Sequence, residues 1–229
     1  MWTVTDSCTA QRYGRNDDAL APKVSRSDGD PVPDRHEGGE VGATMAAMAS
    51  LLLVTGPPGA GKSTVARVLA DSFDPSVLVV GDEFFAFLAR GAIAPWLPES
   101  RDQNEVVTRA AASAAGRFVT GGYTTVYDGV VGPWFLPTFA EATGLSSLHY
   151  AVLLPSLERC IARVATREGH GFTDIAATHH MHEQFATATI DARHLLVDPP
   201  DAPEAVGALI SAAVAGGTLR YNAWSTSTG

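Results

Sequence analysis

Short, unbroken apolar runs alternate along this chain with longer stretches whose apolar residues recur every three to four positions. The run Leu51 to Thr55 is followed by Val65, Val68, Leu69 and Phe73 at helical spacing, and the run Val77 to Val80 ends at Gly81-Asp82. Thr124 to Asp128, His149 to Leu154 and Leu195 to Asp198 complete a set of five runs. Runs this short and this apolar suit strands buried on both faces, as in a parallel sheet, and the periodic stretches suit crossover helices. The spacing predicts a helix over 101–120 that buries Val107, Ala111, Ala114 and Phe118 and stops at Gly121-Gly122. A last helix is predicted over 203–215. The pattern is that of an α/β domain in three layers, a five-stranded parallel sheet with helices on both faces.

Residues 1–44 carry Gly, Pro, Asp and Arg without apolar periodicity and are expected to form a disordered extension; Met45 or Met48 offers a start just before the first strand. The domain is placed at 45–217, with a flexible polar tail over 218–229. The run Met45 to Val54 has the look of a signal-peptide core, but it lacks a basic flank and its second half serves as the first strand. With 229 residues and a formal charge of −9, and with no Lys/Arg cluster, the chain is not expected to bind nucleic acid. No apolar stretch is long enough to span a bilayer, so no membrane partner is expected. Cys8 and Cys160 have neither metal nor redox spacing, and the default location is a reducing cytoplasm.

Only two lysines occur among the sixteen Lys and Arg residues, Lys23 and Lys62. The second lies in Gly56-Pro57-Pro58-Gly59-Ala60-Gly61-Lys62-Ser63-Thr64, which matches the phosphate-loop pattern G-x-x-x-x-G-K-[ST] between a predicted strand and a predicted helix. Glycines let backbone N–H groups converge on phosphate oxygens, and the helix N-terminus adds partial positive charge. A compact ammonium reaches between phosphates where a planar guanidinium does not fit. Residues 56–64 are therefore the expected ATP cradle, with Lys62 on the β- and γ-phosphates and the Ser63 hydroxyl on Mg²⁺.

Asp82 follows the second run and Asp128 ends the third, so both fall at the carboxyl ends of parallel strands, on the side of the phosphate loop. Phosphoryl transfer needs a carboxylate to orient or deprotonate the attacking hydroxyl, and often another near Mg²⁺. Asp82 is assigned as the base and Asp128 to the magnesium shell or the substrate. Asp82 could instead cap a helix, leaving Glu83 as the base, and Asp128-Gly129 could be a turn. With GPPGAGKST, Gly81-Asp82-Glu83-Phe84-Phe85 and Tyr127-Asp128-Gly129 in place, the chain resembles the P-loop small-molecule kinases, AAA-type ATP-binding proteins. Its layout is similar to the chloramphenicol phosphotransferase-like group, with shikimate and gluconate kinases as broader relatives. The resemblance implies the P-loop NTPase fold with strand order 2-3-1-4-5, and a base at the position of Asp82.

After the fourth run, Leu157, Ile161, Val164 and Ala165 form an apolar stripe, and Arg159, Arg163 and Arg167 repeat every four residues on the other side. Residues 167–174 are glycine-punctuated and polar, the composition of a lid between two helices. In the kinases that the chain resembles, lid arginines steady the transferred phosphoryl group, which marks Arg163 and Arg167; the alternative is a solvated arginine face. His179, His180, His182 and Glu183 do not complete a metal ligand set, and the histidines are expected on the surface or in packing, while Cys160 is expected to pack a helix. Phe85, Trp96 and Trp134, with Arg101 and Asn104, surround the loops after the second and third strands and suit a hydroxylated, partly apolar small molecule. The favoured function is an ATP-dependent phosphotransferase acting on such an acceptor. An ATP-driven switch or toxin-type module and a polynucleotide 5′-kinase are the competing readings, the last weakened by the absence of a basic channel.

Overall fold

The computed structural model describes residues 49–166 and 173–223. Five strands, β1 (Leu51–Thr55), β2 (Ser76–Val80), β3 (Thr124–Asp128), β4 (Ser147–Leu154) and β5 (Leu195–Val197), are parallel in the order β2-β3-β1-β4-β5. This is the order and fold expected of a P-loop NTPase. β1 and β3 lie inside the sheet and all ten of their residues are buried, which is why they read as continuous apolar or β-branched runs.

Alternation along β1 sends successive side chains into two cores. Leu51 and Leu53 meet Phe139, Tyr150 and Phe185 under α3 (Arg101–Thr120), α4 (Leu136–Thr143) and α6 (Ile175–Thr187). Leu52 and Val54 meet Val65, Leu69, Val206 and Ile210 from α1 (Lys62–Asp71) and α7 (Pro203–Ala215). Phe139 is fully buried and rests edge-on against the ring of Tyr127 at 4.7 Å, a position where truncation to Ala costs about 3–5 kcal/mol.

Three expectations need correction. The buried face of α3 is Val107, Ala111, Ala115 and Val119, with Thr108 and Ala112 beside them. Ala114 lies at its margin, and Phe118 is 42 % exposed, turned out against Tyr123. In α5 (Leu157–Ala165) the fully buried residues are Cys160 and Val164, while Ala165 is exposed. The tail expected from residue 218 begins as ordered sheet: β6 (Arg220–Asn222) pairs antiparallel with Ser147 to His149 of β4. Its neighbour Leu219 is buried and takes the Tyr150 N–H on its carbonyl at 2.9 Å. No helix among the described residues is long and apolar enough to cross a membrane.

Candidate active site

β1 sets the chain down at Gly56, and residues 56–61 turn back to start α1 at Lys62. The loop closes on itself through Ala60 N–H to the Pro57 carbonyl at 3.2 Å, and Gly59 and Gly61 take φ of 78° and 93°, conformations that a side chain disfavours. The N-cap Gly61 supplies no side-chain acceptor and no acidic residue occupies the first turn of α1. The helix therefore starts with N–H groups that no side chain of its own terminus satisfies, a donor set that fits an anion. Lys62 Nζ bends back over the loop to the Pro57 carbonyl at 3.0 Å. Residues 56–64 thus have the backbone and charge that a nucleotide polyphosphate requires.

The loop is held from outside by α5. Arg163 Nη1 donates to the Gly59 and Ala60 carbonyls at 3.3 and 3.5 Å, and Nη2 pairs with Asp201 at 3.1 Å. Arg159 also pairs with Asp201 and donates to the Pro199 carbonyl at 3.1 Å. The hydrogen bond from Arg159 leads the effects that hold the Asp201 carboxyl below the usual range. The two arginines are therefore neither a solvated face nor free ends over the loop; they join three chain segments. Gly59, Arg163, Pro199 and Asp201 also border a cavity of about 310 Å³ beside the loop. Arg167, and with it most of the expected lid, lies outside the described residues.

The acids enter from the other side of β1. In register, Asp128 stands beside Val54 of β1 and Val80 of β2, so it ends the strand between the phosphate loop and Asp82, and it is 5 % exposed. Asp82 sits in the first turn of α2 (Gly81–Phe85), exposed on the wall of a second cavity of about 830 Å³. All five of Phe85, Trp96, Arg101, Asn104 and Trp134 border that cavity, as does Pro58 of the phosphate loop. Asp128 and Glu83 are not on its lining, whereas Tyr127 and Gly129 are.

The polar framework of this wall is well defined. The Asn104 amide donates to the Pro95 carbonyl at 2.7 Å and to Ser100 Oγ at 2.9 Å, which fixes its orientation and leaves Oδ1 buried without a partner. Trp134 leans on Phe185 of α6 with ring centres 5.2 Å apart. The loop after β3 is pinned by Val131 N–H to Thr55 Oγ1 at 2.8 Å and by the Tyr150 hydroxyl to the Val131 carbonyl at 3.2 Å.

Sequence reasoning missed Tyr127 and the α6 contribution of His180, Met181 and Gln184 to the cavity. Tyr127 precedes a singled-out Asp, but nothing in its strand sequence sets it apart from a packing position. The α6 residues come from a segment some fifty positions away, with no motif to announce them. His179, His180 and Glu183 are exposed, and His182 Nε2 instead lies 2.8 Å from the Pro155 carbonyl. No cluster of three metal-ligating side chains occurs among the described residues. Cys160 is buried in α5, where burial pushes its thiol pKa up.

Residues 51–189 match a family described as an AAA domain. No curated protein matches the sequence. Among solved structures, a sugar kinase from a Janibacter species is similar with a TM-score of 0.55 at 19 % identity, covering 73 % of this chain and 95 % of that one. The tunicamycin resistance protein of Deinococcus radiodurans gives 0.53 at 16 % identity, covering 72 % and 95 %. A gluconokinase from Sinorhizobium meliloti gives 0.51 at 18 %, covering 74 % and 93 %. At these identities the likeness establishes the shared fold.

Proposed function

The chain belongs to the AAA domain family, and from that premise we propose that it transfers the γ-phosphoryl group of ATP to a hydroxyl of a small, partly apolar molecule. One observation carries this reading: Pro58 of the phosphate loop and the Asp82 carboxylate border the same 830 Å³ cavity. An acceptor lying there has its hydroxyl between a proton acceptor and the mouth of the phosphate loop, the arrangement that in-line transfer needs. The cavity beyond Gly59, bordered by Pro199 and Asp201, would take the nucleoside. That the fold's sugar kinase and gluconokinase neighbours are named for small hydroxylated acceptors agrees with the proposal.

Each side chain has a role that follows from its place. The N–H groups of residues 56–64 and the Lys62 ammonium would hold the phosphates. Asp82 would accept the hydroxyl proton as the acceptor oxygen attacks. Ser63 and Asp128 would hold Mg²⁺, which when bound screens the charge of the phosphates. Arg163 keeps the loop in shape through its carbonyls, and with Arg167 is the candidate for steadying the transferred group. Phe85, Trp96, Trp134, Arg101 and Asn104 would bind the acceptor body.

The test is ATP with the purified full chain against a panel of hydroxylated metabolites and antibiotics, read by product mass. Asp82→Asn is expected to keep ATP affinity while slowing transfer about 100- to 10,000-fold, the usual share of a general base. Lys62→Ala is expected to lose nucleotide binding itself. Transfer at the wild-type rate by Asp82→Asn removes the base assignment. ATP hydrolysis stimulated by a protein partner, with no compound gaining mass, replaces the kinase by a switch.

A further inference from the structure

Tyr127 is the last residue before Asp128, and it is 4 % exposed. Its ring occupies a slot that two glycines leave open. A Cβ on Gly81 would fall 2.8 Å from the ring carbon that bears the hydroxyl, and a Cβ on Gly129 would fall 2.7 Å from the ring edge. The phenol oxygen is thereby set against the backbone immediately before Asp82, and the residue borders the large cavity. Its hydroxyl has no hydrogen-bond partner among the described residues. The sealed, unpartnered side-chain polar atoms among the described residues are Asn104 Oδ1 and His149 Nδ1, so the Tyr127 oxygen opens onto the cavity.

A hydroxyl that faces a cavity without a protein partner is left for water or a ligand to complete. A phenol is un-ionised near neutral pH, so the group is available as a hydrogen-bond donor. It therefore calls for an oxygen or nitrogen that accepts a hydrogen bond. The adjacent Asp82 carboxylate calls for the opposite, an O–H that donates. The same cavity is bordered by the apolar side chains of Phe85, Trp96, Val107, Val130 and Trp134, with Arg101, Asn104 and Gln184 among its polar members.

We propose that Tyr127 is an acceptor-binding residue, and that the acceptor is an apolar-bodied molecule with a second oxygen one or two carbons from the hydroxyl presented to Asp82. The phenol donates to that second oxygen while Asp82 accepts from the first, so the pair selects vicinally oxygenated molecules over simple alcohols. This deepens the kinase reading and rests on it for the identity of the reacting hydroxyl. The binding step itself needs no nucleotide.

The experiment uses the full chain without ATP and two probes, styrene glycol and phenethyl alcohol, which share a phenyl body and differ by one hydroxyl. Ligand-observed NMR titration is expected to show the glycol binding about fivefold more tightly, the worth of one neutral hydrogen bond. In Tyr127→Phe this preference is expected to vanish, with phenethyl alcohol binding unchanged. Because the lost hydroxyl has no protein partner, the thermal midpoint of Tyr127→Phe should stay level or rise. An equal preference in both proteins overturns the proposal. So does failure of the glycol to bind the wild-type chain at millimolar concentration, or a Tyr127→Phe chain that unfolds early, which would make the hydroxyl structural. A Tyr127-dependent preference with no phosphoryl transfer to any compound sinks the kinase reading alone.

Discussion

Replacing Gly59 and Gly61 by Ala, one at a time, separates two forces that shape the phosphate loop. Both residues have positive φ, 78° and 93°, and a side chain in that region costs roughly 1–2 kcal/mol. Their surroundings differ. A Cβ on Gly59 would lie 2.8 Å from Cys160 Cα and 2.9 Å from its carbonyl carbon, whereas on Gly61 the nearest atom is Arg163 Nη1 at 3.5 Å. Carbon pairs settle at about 3.5–4.0 Å, so Gly59→Ala must push the loop off α5 by several tenths of an ångström. Cys160 is fully buried in the middle of α5 and cannot yield, which adds roughly 1–3 kcal/mol of overpacking. The expected losses are thus about 1–2 kcal/mol for Gly61→Ala and about 2–5 kcal/mol for Gly59→Ala. At about 2–4 °C per kcal/mol, thermal midpoints should fall by about 5 °C and about 10 °C respectively. Thermal and urea unfolding of the full chain measure both. Equal losses, or a larger one for Gly61→Ala, would refute the claim that the loop is seated on the α5 backbone.

Gly116 lies inside α3, where Ala would gain about 0.5–1 kcal/mol of helix propensity, yet its Cβ would meet the Thr143 carbonyl carbon of α4 at 2.8 Å. Overpacking of roughly 1–3 kcal/mol should win, so Gly116→Ala should lower the urea midpoint; a raised midpoint would mean that α3 and α4 can separate freely. His149 and His194 both titrate below the usual imidazole range, chiefly through burial, helped by Arg220 at His149 and by Arg193 at His194; the Tyr150 carbonyl and Asp191 oppose the shift at His194. The fold thus favours their neutral forms and the unfolded chain binds more protons, so this stability is complete above pH of about 6.5 and declines as pH falls through it. Thermal midpoints should drop between pH of about 7 and 5, and the His149→Gln, His194→Gln double variant should flatten that slope. The Asp201 carboxyl, held low by Arg159, acts in a separate window below pH of about 4.

The parts of this protein that could be read in advance are those where one local rule acts alone. β1 is buried on both faces and is an unbroken apolar run, so hydrophobicity marks it, and the phosphate loop is written in consecutive residues directly after it. The buried face of α3 differs from the expected one because seven of the ten positions from Ala110 to Val119 are Ala, Gly or Ser, which gives little contrast between faces and leaves Phe118 as the misleading apolar landmark. β6 has one apolar residue in three and is strand only because β4 is eight residues long and offers it an edge. Arg159 and Arg163 were visible as a charged repeat, but their partner Asp201 lies about forty residues away and belongs to no pattern. Tyr127 was passed over for the same reason that it matters: a strand position reads as core, and only the glycines on the neighbouring segments turn its oxygen toward a cavity.

The short closing strand has a consequence for biosynthesis. β4 has been synthesised by residue 154, but the half of its outer edge formed by Ser147 to His149 is covered only when residues 220–222 arrive. Until the ribosome has released almost the whole described domain, that edge presents open backbone groups, and the carbonyl that takes the Tyr150 N–H does not yet exist. Folding of this domain therefore finishes only once residue 222 is available, rather than growing steadily from the phosphate loop outward. A nascent chain stalled between residues 200 and 215 would carry its nucleotide loop and both strand-end acids, yet still expose a template for pairing with other chains.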